Sequence, residues 1–380
     1  METYEVIIVG AGASGIMCAL NSTKKTLLIE ASDRSGKKIL VTGNGKCNIS
    51  NDNFCENCYN TSLVNQYFSR FDQSQTLKYF ENLGLFTYHD QEGRRYPLSN
   101  SANSVLDILL KALSLKNNVK TIVNTIPLSI SKVQEGFLVN TKGQTYICHK
   151  LVLATGGNSG TQYLKQLGVS YNAFMPSLVG LKTTRNKGLA GVRISNVRIK
   201  CKQFNEVGEI LFKEDGVSGI VVLNLSAYLA RNKIGSGKMT IDLLADIEGK
   251  SLFDMIQLSI QNNPNYLLTD ILEGFLHKSA ARNLLEKLSL DKKIAKACTA
   301  EDITMLVDKI KNFAVEFTGY SNNNQVYTGG VDLKNLDENL QHRQMKNLYF
   351  IGEVVNVDGV CGGYNLQWAW TSGKIVGNSL

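Results

Sequence analysis

Short apolar runs stopped by glycine recur near both ends of the chain. Residues 4–9 read Tyr-Glu-Val-Ile-Ile-Val and end at Gly10; residues 151–154 end at Thr155-Gly156-Gly157; residues 348–351 end at Gly352-Glu353. An unbroken apolar run of this length predicts a strand of a parallel sheet covered on both faces. A short helix over about 14–22 and a second strand over 26–29, closing at Glu30, complete a βαβ unit after the first run. Helical periodicity predicts helices over 62–82 and 101–114. Residues 119–123, 136–141 and 145–148 read as short strands. Arg94–Pro97 is extended, because the residue before proline avoids the α region.

The pattern changes near residue 186. Residues 192–242 hold short strands with turn signals, which predicts an antiparallel β segment. Helical periodicity dominates 251–313, and strands return near 314–318 and 325–328. A glycine-rich loop, 359–363, leads into a last helix from about 365. The expected class is therefore α/β: a Rossmann-like domain with an inserted β segment and a helical segment. The expected division is 1–185 with 327–380, then 186–246 with 312–326, then 247–311.

Composition narrows the function classes. The 380 residues are 43% apolar and 19% charged, which excludes intrinsic disorder. No apolar run approaches the roughly 18 residues of a membrane span, and the first residues lack the pattern of a secretory signal. A cytoplasmic location and reduced thiols are expected. The net charge of +8 is spread over scattered doublets such as Lys24-Lys25 and Lys292-Lys293, which argues against a nucleic-acid partner. Of eight cysteines, Cys55-x-x-Cys58 stands alone. It lacks the second pair or histidines that zinc needs, so no metal is expected. The pair reads as loop cysteines, with redox pairing as the alternative.

The chemistry-bearing pattern is Gly10-x-Gly12-x-x-Gly15 between a strand and a helix, with Glu30 at the end of the next strand. The first glycine permits the turn, the second admits a pyrophosphate, and the third lets helix and strand pack closely. The helix N-terminus, Ala13 and Ser14 included, presents N–H groups to the phosphates. Glu30, followed by Ala31, would accept from ribose hydroxyls and disfavour a 2′-phosphate. Only one such fingerprint exists. Ala154-Thr155-Gly156-Gly157 and Gly352-Glu353, with the helix entry beyond, favour FAD over NAD. Such a helix N-terminus would face the N1/O2 edge of the flavin and stabilise its reduced form.

Four stretches stand in the order of one known family: Thr42-Gly-Asn-Gly-Lys-Cys-Asn48, Glu92-Gly-Arg-Arg-Tyr-Pro97, Leu153-Ala-Thr-Gly-Gly157 and Asp358-Gly-Val-Cys-Gly-Gly-Tyr-Asn-Leu-Gln367. The chain resembles, from 4 to 377, the three-domain bacterial flavoproteins that include aminoacetone oxidase and a bile-acid enoyl reductase. That resemblance implies a two-dinucleotide-binding-type FAD domain with an inserted antiparallel β-barrel-like domain and a small helical domain, and tightly but noncovalently bound FAD. It places Gly43, Asn44, Gly45, Lys46, Cys47 and Asn48 against the flavin, with Gly363, Tyr364, Asn365, Leu366 and Gln367 opposite, and Lys38 nearby. Two departures stand out. Lys46 replaces the usual Arg and cannot make a bidentate fork. The segment after Gly157 is shorter than in the family.

No catalytic residue is identified outright; Tyr364 and Cys361 are the candidates for a proton donor. The leading expectation is an FAD-dependent oxidoreductase of a small or hydrophobic organic molecule, with amine oxidation by O2 as one form. The alternative is an enoyl reductase in which NAD(P)H binds transiently. Two rivals of other classes are a flavin protein associated with nucleic acid and a non-catalytic flavin-binding protein. The oligomeric state stays open.

Overall fold

The computed structural model describes residues 1–54, 56–184, 188–322 and 326–380. They divide into two compact units, Met1–Met175 with Val326–Leu380 and Pro176–Gln325. The chain thus leaves the first unit at Met175, before the change of pattern near 186.

The first unit is built on a seven-stranded sheet. Val119–Ile122, Thr26–Ile29, Glu2–Val9 and Thr145–Leu153 lie side by side and parallel. Residues 145–148 and 151–154, expected as two strands, form the single strand Thr145–Leu153. Its first half pairs antiparallel with Gly136–Thr141, itself hairpinned to Pro127–Val133. Its second half takes Leu348–Phe350 as a parallel neighbour. One strand thus serves two pairing modes. That is why its first residues alternate in burial while Leu151, Val152 and Leu153 are wholly buried.

The helix expected over 62–82 is broken. Asn65–Phe68 is one short helix and Gln73–Asn82 another. Asp72 makes the break. Its carboxylate accepts from the Gln75 N–H, and the Gln75 side chain accepts from the Asp72 N–H, a capping box that starts a new helix.

The two ends of the chain meet in this unit. Helix Ala13–Asn21 packs on the last helix, Tyr364–Ser379. A Cβ on Gly373 would lie 2.5 Å from the Ser14 carbonyl oxygen, and one on Gly377 2.6 Å from that of Cys18. Only glycine permits that approach. Trp368 and Trp370 point to different sides of the last helix, yet both are buried. Each indole N–H donates to a main-chain oxygen, that of Gly352 at 3.1 Å and that of Ile49 at 3.0 Å.

The second unit holds a closed antiparallel barrel of six strands: Leu181–Thr183, Gly216–Ser218, Phe204–Phe212, Arg193–Cys201, Gly237–Asp242 and Phe313–Tyr320. The segment 192–242 is not all β. Ile220–Arg231 is a helix. Its apolar run suits strand or helix equally, and Gly219 decides: its φ of 103° turns the chain where a Cβ would strike the Glu209 carbonyl at 2.2 Å. Helices Gly249–Asn262, Leu268–Glu273, Lys278–Leu288 and Ala300–Lys311 fill the expected helical stretch. They share one apolar cluster with the barrel, in which Leu252, Leu284 and Leu306 join Ile199 and Phe317.

Overpacking a close helix pair costs about 1–3 kcal/mol. Gly377→Val is therefore expected to lower the melting midpoint by several degrees in differential scanning calorimetry. Gly235→Ala, with open space around it, is expected to leave it unchanged.

Candidate active site

The three glycines of the first turn have three different surroundings. Gly10 has φ 105°, and a Cβ there would lie 2.3 Å from the Ala154 carbonyl oxygen. A Cβ on Gly15 would lie 1.9 Å from the Gly10 carbonyl oxygen. Gly12 has nothing within 4 Å of that position. The first and third are filled by protein, and the second is open. Gly12 also caps helix Ala13–Asn21 without any side-chain bond, so the helix N-terminus is available to an anion.

Glu30 is fixed before any ribose arrives. One carboxylate oxygen accepts from the Ala11 N–H and the other from the Ser32 N–H, both at 2.8 Å. Ala31 beside it is exposed. Each oxygen retains a second lone pair for a hydroxyl.

A second group of motifs converges beside this turn. Gly352 has φ 68°, and a Cβ there would meet the Ser14 hydroxyl at 2.5 Å. Glu353 accepts from the Tyr327 N–H at 2.6 Å and pairs with Lys38 Nζ at 2.8 Å. Gly156 lies against Glu353, with 3.7 Å from its ideal Cβ to the carboxylate. Gly157 faces the Tyr327 ring, which a Cβ would strike at 2.4 Å. The tertiary structure thus gathers Lys38, the strand end at Ala154 and the pair Gly352-Glu353 around the first helix. The Thr155 hydroxyl beside them is buried and has no partner.

The third group forms a cradle. Gly43, Asn44, Gly45 and Cys47 all have positive φ, which coils the loop tightly. The Cys47 N–H donates to the Thr42 carbonyl, while Lys46 is exposed. Gly363, with φ 99°, caps the last helix without a side-chain bond. A Cβ on Gly363 would lie 2.7 Å from Asn48 Oδ1. Asn48 is only 8% exposed, and that oxygen has no partner.

The side chains after Gly363 bond inward and hold this loop. The Tyr364 hydroxyl donates to the Asn53 carbonyl at 2.6 Å. Asn365 bonds both the N–H and the carbonyl of Gly359. The Gln367 amide accepts from Ser50 and donates to Thr76 and Thr371. Leu366 packs against the core. Asn51, which donates to the Gly362 carbonyl at 2.9 Å, and Tyr59, which donates to the Tyr364 carbonyl, complete the tie. No local pattern marks Asn51 or Tyr59; their roles come from partners some 300 positions away.

Other candidates are otherwise engaged. Arg94 pairs with Asp90 and Glu92, each at 2.7 Å, and Arg95 with Asp52 at 2.6 Å. His89 bonds Asp52 rather than the adjacent Asp90. Cys58 is disulfide-bonded, so it is not a plain loop thiol; Cys55 lies outside the described residues. Burial pushes the Cys361 thiol up, although Arg94 opposes this. Burial pushes Cys47 up to about 12. Among the described residues no three His, Cys, Asp or Glu side chains are grouped to hold a metal, and no helix is long and apolar enough to cross a membrane.

FAD fits these features. Asn48 Oδ1 lacks a donor, and the uncapped helix at Gly363 lacks an acceptor. The pyrimidine edge of a flavin carries an N–H between two carbonyls and answers both. The open Gly12 position and the bare N-terminus of the first helix suit the pyrophosphate. Fold and site together define an FAD-dependent oxidoreductase with a Rossmann-type nucleotide domain. The chain belongs to the HI0933-like protein Rossmann domain family, which it matches over residues 4–379.

Two relatives match across nearly the whole length. A 3-dehydro-bile acid delta(4,6)-reductase of Clostridium scindens is 30% identical, covering 98% of each chain. A ribosomal RNA dihydrouridine synthase of Escherichia coli is also 30% identical, covering 98% of this chain and 96% of that one. The solved 3-ketosteroid delta1-dehydrogenase of Sterolibacterium denitrificans shares the fold. Its TM-score is 0.50 at 14% identity, over 100% of this chain and 99% of that one.

Gly12→Val places methyls in the open phosphate position. It is expected to keep the secondary structure and melting midpoint of the apoprotein and to lose FAD during gel filtration. Retention of full flavin absorbance would remove Gly12 from the site. A thiol titrating near 12 stays protonated at pH 8, so Cys47 is expected to resist iodoacetamide in the native protein and to react after unfolding, as read by peptide mass spectrometry.

Proposed function

We propose that this protein uses FAD to saturate a carbon–carbon double bond conjugated to a carbonyl in a six-membered ring. One observation carries this. The two full-length relatives have names with very different substrates, a 3-oxo bile acid and a uridine in ribosomal RNA. What those substrates share is a ring double bond next to a carbonyl. The chemistry common to both is the reading that suits this chain.

Bound FAD would supply the hydride. The chain supplies the rest. Gly12 and the first helix hold the pyrophosphate, and Glu30 the ribose. Asn48 and the helix N-terminus at Gly363 hold the pyrimidine edge, where the helix dipole favours negative charge. Saturation of the double bond also needs a proton for the carbon next to the carbonyl. The Tyr364 phenol is committed to Asn53. The Cys361 thiol, kept protonated by burial, is the group assigned to that proton, and water would restore it. With a single dinucleotide fingerprint, a nicotinamide donor binds only in passing. Amine oxidation by O2 remains the second direction open to the same cofactor, but neither relative's name points to it.

The test is an anaerobic visible spectrum with NADH, NADPH and aminoacetone in turn. Flavin bands are expected to bleach with a nicotinamide. They should return, without air, on adding androst-4-ene-3,17-dione or a uridine-containing RNA. Bleaching by the amine alone, with recovery in air, would establish the oxidase instead. Flavin that no donor bleaches would mark a non-catalytic flavin protein. Cys361→Ala is expected to slow the reoxidation step by about 10²–10⁴-fold while leaving reduction by nicotinamide intact.

A further inference from the structure

We infer that Tyr88 and Tyr96 form the wall against which the flat ring of the substrate lies. The inference rests on the ring-reduction reading above. Its basis is a small antiparallel sheet of Ser50–Asn51, Arg94–Pro97 and Thr87–His89. In it Tyr88 stands directly opposite Tyr96, and Asn51 opposite Arg94. Directly opposed residues share a face, as do residues two apart. Tyr88, Tyr96, Arg94 and Asn51 therefore lie on one face.

That face is turned to the cofactor cradle. The Tyr96 ring comes within 3.3 Å of the ideal Cβ of Gly43, in the coiled loop. Asn51 reaches the Gly362 carbonyl, in the opposite loop. The two tyrosine rings are 5.9 Å apart, with their planes 31° from parallel. The other face of the sheet is closed by its own charges, with Asp52 held between His89 and Arg95.

The hydroxyls of the pair differ. Tyr88 donates to Asn100 Oδ1 at 2.5 Å. Tyr96 is half-buried, yet its hydroxyl has no hydrogen-bond partner among the described residues. Burial raises its phenol, Arg94 draws it back, and Cys361 adds to the rise. A half-buried phenol without a partner is not what packing alone needs. A conjugated ring laid on this surface would gain stacking contact without losing any bond the protein already makes.

The wall has no base-specific bonds, so a uracil in RNA and a cyclic enone would both lie against it. The test uses FAD-loaded protein in the oxidised state, where no turnover occurs. Binding is read from the change in flavin absorbance on titration with a uridine-containing single-stranded RNA and, separately, androst-4-ene-3,17-dione. Stacking on one aromatic ring is worth about 1–3 kcal/mol, or roughly 5- to 150-fold in Kd. Tyr96→Leu and Tyr88→Leu keep apolar volume but lose the aromatic face. Each is expected to weaken the probe that the wild type binds by that factor, with FAD occupancy and melting midpoint unchanged. Tyr96→Phe keeps the face and is expected to bind within about twofold of wild type.

Leucine variants that bind the probe as the wild type does would overturn the wall and leave the ring-reduction reading standing. Loss of binding in the leucine variants, with no reduction of either probe by wild-type protein and NAD(P)H, would keep the wall and overturn that reading. Wild-type protein that binds neither probe would overturn both.

Discussion

The site depends on the approach of two helices from opposite ends of the chain. Helix Ala13–Asn21 begins at Gly12, and helix Tyr364–Ser379 begins at Gly363. They pack with only glycine between them, at Gly373 and Gly377, so backbone meets backbone. Each helix offers an N-terminus without a side-chain cap. The distance between these two termini is set by this contact and by Gly352, which fits against Ser14. A side chain at any of these glycines would move one anion site relative to the other.

The cradle is rigid in its supports and incomplete at its surface. Tyr364, Asn365 and Gln367 bond inward, to Asn53, Gly359, Ser50, Thr76 and Thr371. Two buried tryptophans anchor the helix behind them. Against this fully bonded background, the unpartnered oxygens of Asn48 and Thr155 stand out. Buried polar atoms without partners are costly. In the site proposed above, a bound cofactor would remove that cost. The same inward bonding makes the side chains of Tyr364, Asn365 and Gln367 supports of the loop.

Much of this was legible in the residues. Gly10, Gly12 and Gly15 differ in surroundings in the way their spacing implies, because one turn between a strand and a helix permits few geometries. Glu30 falls at the end of the second strand, as its position requires. Lys38 and Glu353 were each attached to the site separately, but nothing local shows that they pair. Tyr96 and Asn51 were harder to see. One lay in a quoted motif without a role, and the other in none, since strand pairing alone brings them to the cradle. The helix Ile220–Arg231 is not legible in the sequence, because its apolar run has no period that separates helix from strand. Only the left-handed turn at Gly219 decides it.

The sequence by itself determined the α/β class, the single nucleotide fingerprint and the preference for a flavin. These rest on local rules: a buried strand reads as an apolar run, and a phosphate turn needs glycines at set spacings. Tertiary structure alone decided how closely the helices from the two ends of the chain approach, through Gly373 and Gly377. It also decided that the Tyr364 hydroxyl donates to the Asn53 carbonyl and that Tyr88 stands opposite Tyr96. Each of these is a relation between residues distant in the chain. A sequence records which side chains are present, and only packing determines which of their atoms are already bonded and which are left for a ligand.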